Sequence, residues 1–234
     1  MTSPGLRPTL PDAVLWDMDG TLVDTERYWM AAETALVERF GGTWSHEQAL
    51  GLVGAGLDTS AAILQNAGVR MSGPDIVGHL TEEVMRSLEE LGPPLRHGAL
   101  ELLSQLRAQG VRCALVTMSL RRMAEVVVDA LPGAPFELIV AGDEVTRPKP
   151  FPDAYLQACA VLGVDPSGAV AIEDSPTGVR AAVSAGVTTI GVPLMVSLVG
   201  TGAHELWPTL EGRTPADLGL VHTAHRPTGA KGRS

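Results

Sequence analysis

Residues Ala13–Thr25 read AVLWDMDGTLVDT, and this stretch decides the fold. Four apolar residues, Ala13 to Trp16, end abruptly on two carboxylates, Asp17 and Asp19, with Gly20 behind them. A short apolar run without polar alternation is the signature of a strand buried on both faces. Its break into charge and glycine marks the carboxyl end of that strand, the edge where open parallel sheets carry their chemistry.

The same pattern recurs outward along the chain. Strands are expected at Ala13–Trp16, Val111–Val116, Glu137–Val140, Ala169–Ile172 and Val187–Val192. Helical stretches alternate with them: Gly98–Gln109 carries Leu102, Leu103 and Leu106, Leu120–Leu131 is amphipathic, and Pro152–Leu162 aligns Tyr155, Cys159 and Leu162 on one stripe. Ser175 and Pro176 form an N-cap and first-turn pair, and Gly186 a helix stop. Strand alternating with helix predicts an α/β fold with a doubly wound, Rossmann-like parallel sheet.

One connection is too long for that rhythm. Between Trp16 and Val111 lies far more chain than the roughly 10–12 residues a crossover needs. The insert reads as all-α: Tyr28–Phe40, Thr59–Ala67, then Val77, Leu80, Val84, Leu88 and Leu91 at spacings of three and four. An exit at Val23–Asp24 and a return at Gly92-Pro93-Pro94 delimit a helical cap over 24–92, leaving 1–23 and 93–234 as a discontinuous core. The last dozen residues are expected as a loose tail, with His222 and His225 solvated rather than metal-binding.

Composition bounds the function. The 234 residues are 45% hydrophobic and 19% charged, as in a packed protein rather than a disordered one. Seventeen Lys+Arg against 27 Asp+Glu give a net charge of −10, which disfavours broad attraction to nucleic acid or an anionic membrane. No apolar run reaches the roughly 18 residues of a spanning helix, and no basic start leads into a secretory signal. Cys113 and Cys159 fall in apolar runs as buried thiols, with no disulfide framework. A cytoplasmic location and a monomer or weak homodimer are expected.

Four polar clusters follow strand ends and so face one crevice: Asp17 to Thr21, Thr117-Met118-Ser119, Arg147-Pro148-Lys149-Pro150 and Glu173-Asp174-Ser175. Paired carboxylates repel unless a cation sits between them, and Mg²⁺, which takes hard oxygen ligands and keeps positions open for water and phosphate, suits this set. Asp17, Asp174 and a backbone carbonyl near Asp19 are the candidate ligands, with Glu173 behind them. Lys149 is one of only two lysines among 17 basic Lys+Arg residues. A compact ammonium can bridge a phosphoryl oxygen and a carboxylate where a planar guanidinium cannot.

Asp17-Met18-Asp19-Gly20-Thr21-Leu22-Val23-Asp24-Thr25, Thr117, Lys149-Pro150-x-Pro152-Asp153 and Ile172-Glu173-Asp174-Ser175 together resemble the four motifs of the haloacid dehalogenase superfamily. The subgroup resembled is that of β-phosphoglucomutase-like phosphatases with a helical cap. The resemblance implies that Asp17 is a nucleophile forming an aspartyl phosphate and that Asp19 is a general acid and then a general base. It further implies that Thr117 and Lys149 hold the transferring oxygens. The substrate is then a small phosphorylated metabolite.

The cap departs from the sugar-phosphate mutases, whose cap loop supplies an Arg for a second phosphate. The comparable Gly51-Leu52-Val53-Gly54-Ala55-Gly56-Leu57 contains no base. Within 24–92, eleven acids stand against four bases. Monophosphates of neutral polyols or sugars are therefore expected over bisphosphates, phosphoglycolate and nucleotides. Met118, Ser119, Arg27, Trp29 and Gly54 are the candidates for substrate contact. The alternatives are a phosphomutase, a receiver-type phospho-acceptor and a non-catalytic binding module.

Overall fold

The computed structural model describes residues 9–226. Strand β1 (Ala13–Trp16) leads into four helices, α1 (Glu26–Arg39), α2 (His46–Leu50), α3 (Leu57–Asn66) and α4 (Gly73–Leu91). The chain then returns through α5 (Ala99–Ala108) to β2 (Arg112–Val116), α6 (Arg121–Asp129) and β3 (Leu138–Val140). The remaining order is α7 (Asp153–Leu162), β4 (Ala169–Glu173), α8 (Pro176–Ser184), β5 (Thr188–Gly191), β6 (Glu205–Leu206) and α9 (Pro215–His225).

Every side chain of β1 is excluded from water, so it takes the middle of the sheet. The order is β3-β2-β1-β4-β5-β6, with parallel pairs throughout. Val14 and Trp16 pack toward α5, α6 and α9, whereas Ala13 and Leu15 pack toward the small and aromatic residues of α7 and α8. Helices on both faces make the sheet doubly wound, as the alternating pattern predicts. Trp16 is in register with Leu115 and with Ile172, so the residues after all three leave the sheet at one edge. Burial keeps Cys113 and Cys159 as free thiols and pushes them up to about 12 and about 11.

Helices α1 to α4 cover that edge. The two connections to them run side by side: Val23 bridges Leu95, Asp24 N–H donates to the Pro94 carbonyl (2.8 Å), and Arg96 N–H donates to the Leu22 carbonyl (2.9 Å). Ser72 caps α4, which buries Ile76, Leu80, Thr81, Val84 and Leu88. The stripe is thus centred on Ile76 rather than Val77, and Leu91 is 72% exposed because α4 has run past its neighbours.

Three other features differ from the sequence reading. Helix α2 was not anticipated, although Ser45 and Gln48 make a complete capping box for its five residues. Strand β6 is two exposed residues added at the sheet edge by the register with Ile190 and Gly191. The C-terminal stretch is not loose through His225: Thr214 and Asp217 box the start of α9, Pro215 occupies its first turn, and Leu218, Val221 and His222 are buried. His222 is therefore a packed residue and not a solvated one, its imidazole pushed below its ordinary value by burial. His225 is exposed as expected. Lys231 and the end of the tail lie outside the described residues.

Gly98 joins the return connection to α5 in the left-handed region, at φ 82°, where a Cβ would lie 2.3 Å from the carbonyl group of Leu210. Backbone on one side and a positive φ on the other leave no inexpensive adjustment. Gly98→Ala should destabilise the protein by about 2–4 kcal/mol in denaturant unfolding. A loss under about 0.5 kcal/mol, the size of an ordinary surface change, would show that the Leu210 segment yields freely.

Candidate active site

The shared sheet edge assembles the four clusters at one place. Asp17 follows β1 with its N–H bonded to the Ile172 carbonyl (3.1 Å), and Thr117 follows β2 with its N–H bonded to the Val140 carbonyl (2.9 Å). Glu173 ends β4, and Asp174 precedes Ser175, whose hydroxyl accepts from Gly178 N–H to cap α8. Lys149 arrives from the loop after β3 and is 5% exposed.

The Lys149 ammonium donates to Asp17 Oδ1 (2.7 Å), Glu173 Oε1 (2.6 Å) and the Val116 carbonyl (2.9 Å), which uses its three protons. It also lies 5.2 Å from the centre of the Tyr155 ring, whose hydroxyl donates to the same Glu173 oxygen (2.7 Å). Burial alone would lower this ammonium, but Asp17 and Glu173 raise it above the ordinary lysine value. The lysine is a fixed cation at neutral pH.

Asp17, Glu173 and Asp174 offer oxygens within 4.8 Å of one another and are all buried. Both oxygens of Glu173 are bonded, Oε1 to Lys149 and Tyr155 and Oε2 to the Ser175 hydroxyl (3.2 Å). By contrast, Asp17 Oδ2 and Asp174 Oδ2 are buried with no partner. Burial raises Asp174 well above the ordinary carboxylate range, with Asp17 and Glu173 adding to it. Burial and then Glu173 raise Asp17 against the pull of Lys149. Two buried, partnerless carboxylate oxygens side by side are what a divalent cation would satisfy, so the donor set fits one.

The Asp19 carboxylate stands outside that cluster. Its Oδ1 accepts from Thr25 Oγ1 (2.5 Å) and Trp29 Nε1 (3.2 Å), and its Oδ2 from Ser119 Oγ (2.6 Å) and Thr117 Oγ1 (3.4 Å). It is held from both sides, by α1 and its entry and by the loop after β2. It is not among the three carboxylates close enough together to share a metal ion.

Asp17, Asp19, Thr117, Met118, Ser119 and Lys149 line one pocket beneath the helical insert, together with Trp29 and Gly54. Gly54 sits at φ 70°, and a Cβ there would lie 2.4 Å from Ser175 Cβ; its carbonyl accepts from the Thr177 hydroxyl. Arg27 does not join them. It is exposed, with its guanidinium 5.1 Å from the Tyr28 ring centre, because it lies on the outer side of α1. Trp29, not Tyr28, is the aromatic that faces the crevice.

Among the pocket residues not foreseen are two acids and the Ser60 hydroxyl. Glu26 and Glu33 stand on the buried face of α1 with Trp29 and are 8% and 5% exposed. Burial pushes Glu26 up to about 8, with Asp19 adding to it, and Glu33 up to about 7 against a hydrogen bond from Trp44 Nε1 (3.4 Å). Glu26, Trp29 and Glu33 at i, i+3 and i+7 was the available signal, since it sets both acids on the stripe of Trp29 and Leu36.

The family of haloacid dehalogenase-like hydrolases matches residues 14–192, and the chain belongs to it. Protein CbbY of Rhodobacter capsulatus is 32% identical over 192 residues, which cover 77% of this chain and 85% of that protein. Hexitol phosphatase A of Escherichia coli is 35% identical over 185 residues, covering 76% of this chain and 81% of its own. A crystal structure of a CbbY mutant from Rhodobacter sphaeroides in complex with xylulose-(1,5)bisphosphate has a TM-score of 0.82 at 29% identity, over 89% of this chain and 99% of that one. Within the superfamily the chain falls in the β-phosphoglucomutase-like subgroup.

The raised carboxyls fix a sign for stability against pH. Above the ordinary value of 4.5 the unfolded chain ionises Glu26, whereas the fold keeps it protonated to about 8. The folded state then binds more protons, so this contribution declines as pH rises between those values and levels off above them. Glu26→Gln should remove that decline. Its melting temperature should gain on the wild type from pH 5 to pH 8, and a difference independent of pH would place Glu26 in water.

Proposed function

We propose that the chain hydrolyses phosphate monoesters of sugars or polyols with Mg²⁺, through an aspartyl phosphate on Asp17. The observation that carries the reading is the division between two carboxylates two residues apart. Asp17 is held by a permanent cation and keeps one oxygen free, while Asp19 is surrounded by four donors. An Asp17 oxygen forms the new bond to phosphorus as the bond from phosphorus to the alcohol oxygen breaks, and Asp19 gives that oxygen its proton. Asp19 then takes a proton from the water that releases phosphate. Lys149 and Thr117 hold the transferring oxygens. Asp17, Asp174 and the Asp19 carbonyl would hold Mg²⁺, with Glu173 behind, and the ion when bound supplies compensation for phosphoryl charge.

Hexitol phosphatase A supports a polyol or sugar phosphate. The CbbY structure holds a sugar bisphosphate, which favours a second reading in which this chain takes bisphosphates. Lys149 is the one basic residue among those lining the pocket, and it stands at Asp17, where the reacting phosphate would claim it. A second phosphate buried there would lack a charged partner, which favours monophosphates. The same shortage argues against a mutase. We also propose that α1 to α4 move as a cap over 24–92, hinged at its two adjacent connections, and that the protein works in a reducing cytoplasm.

Phosphate release from a panel of sugar and polyol monophosphates, sugar bisphosphates, phosphoglycolate and nucleotides, with Mg²⁺ and with chelator, tests this directly. Monophosphates should give the highest kcat/KM, and chelator should abolish it. Asp17→Asn should abolish turnover in a folded protein, and release near the wild-type rate would remove Asp17 as nucleophile. Lys149→Arg should lower kcat/KM by more than about tenfold, or about 1.4 kcal/mol of transition-state stabilisation.

A further inference from the structure

The wall of the pocket opposite Asp17 is built by α1, and it is acidic without being charge-paired. Glu26 lines the pocket, is more than nine-tenths buried, and has no hydrogen-bond or ion-pair partner among the described residues. Glu33 lies two turns further along the same helix face, equally buried, with one oxygen accepting from the Trp44 indole and the other uncommitted. Between them stands Trp29, whose indole is tied to Asp19. The unbonded oxygens of both carboxyls open onto the pocket rather than onto protein, although a helix could place an apolar residue at either position. The protein instead keeps two carboxyls aimed into the space that the part of the substrate beyond the phosphate would fill.

Resting on the monophosphate reading above, we propose that Glu26 and Glu33 are the specificity-determining residues of this pocket, reading the hydroxyl groups of the substrate's polyol or sugar portion. A neutral carboxyl carries one donor and one acceptor, the pattern of a hydroxyl, so a polyhydroxy chain along α1 meets a partner at each end of the Trp29 ring. Burial, which raises both groups toward neutrality, keeps that mixed character available near pH 7. The same wall offers a second phosphate no cation. An apolar ester would leave both carboxyls without partners, the arrangement by which sites built for hydrogen bonds reject analogues that lack them.

The test compares kcat/KM for glucitol 6-phosphate and n-hexyl phosphate, which match in length and differ in hydroxyls, with p-nitrophenyl phosphate as a third ester. The wild type should prefer the hexitol ester by more than about a hundredfold, the size of discrimination such pockets reach. Glu26→Leu and Glu33→Leu should each cut that ratio at least tenfold through KM of the hexitol ester. Gln at either position retains a donor and an acceptor and should restore the ratio to within a few fold. Trp44→Phe, which removes the donor orienting Glu33, should lower the ratio without touching the pocket lining, and it reads the same point if a leucine variant fails to fold. Ratios unmoved by leucine would overturn the assignment. So would Gln failing as badly as Leu together with a preference for glucosamine 6-phosphate over glucose 6-phosphate, since ionised carboxylates would then be reading an ammonium. Turnover of p-nitrophenyl phosphate with no hexitol preference defeats this inference alone, whereas no phosphate from any ester defeats the phosphatase reading and this one with it.

Discussion

Asp17, Glu173 and Asp174 bring three carboxyls within 4.8 Å of one another, almost out of water, with the single ammonium of Lys149 to offset them. A buried pair of opposite charges barely breaks even against its desolvation, and three against one leaves a deficit of positive charge. Lys149 settles part of it by bonding two of the three and the Val116 carbonyl. The remainder is left on Asp17 Oδ2 and Asp174 Oδ2, which are adjacent and without partners. Proton uptake or a bound cation must complete the balance, and both outcomes follow from the same geometry. The sheet register makes this unavoidable, because pairing Trp16 with Ile172 sends Asp17 and Glu173 out of neighbouring strands at one level.

Asp19 obeys a different constraint. Its two oxygens divide their donors between parts of the chain distant in sequence, Thr25 and Trp29 on one side and Thr117 and Ser119 on the other. The Asp19 carboxylate is therefore oriented by the helical insert and by the sheet together. Gly54 repeats the arrangement at the other rim, where the insert approaches Ser175 closely enough to exclude any Cβ and accepts a bond from Thr177. Displacement of α1 to α4 would undo the Thr25 and Trp29 contacts of Asp19 while leaving those of Thr117 and Ser119 and the Asp17–Lys149 pair intact. On the proposed mechanism, closure would then bear on proton transfer and not on nucleophile placement.

The core of the site was legible because parallel sheets expose all their strand ends on one edge, so Asp17, Thr117, Lys149 and Glu173-Asp174 could be gathered from strand positions alone. The sheet carried its own boundaries to within a residue for the same reason. What escaped was whatever depends on which way a helix faces. Arg27 and Glu26 are neighbours in sequence, yet a turn of about 100° puts one in solvent and the other in the pocket. An acid on a helix is ordinarily a solvated residue, so Glu26 and Glu33 gave no signal by type, only by sharing the stripe of Trp29 and Leu36. Helix α9 was hidden for the opposite reason. Its capping residues, Thr214, Pro215 and Asp217, are distinct, but its buried stripe runs through Gly219 and His222, which weakens any apolar periodicity.

Likeness to known proteins and the local physics of the pocket speak to different parts of the molecule. The family match runs from residue 14 to residue 192 and so spans Asp17, Asp19, Thr117, Lys149 and Asp174, which the proposed chemistry uses for any phosphate ester. CbbY and hexitol phosphatase A resemble this chain to nearly the same degree, at 32% and 35%, yet one is named for a hexitol and a CbbY structure holds xylulose-(1,5)bisphosphate. Overall identity therefore cannot choose between them, and the choice falls to the few side chains beyond the phosphate. Here those side chains are Glu26, Trp29 and Glu33 on α1 and the base-free loop from Gly51 to Leu57. With Lys149 as the one base among the lining residues, the proposed monophosphate preference follows from the shortage of cations beyond the phosphate. On the proposed reading, one face of one helix sets substrate range and the sheet edge beneath it sets the chemistry.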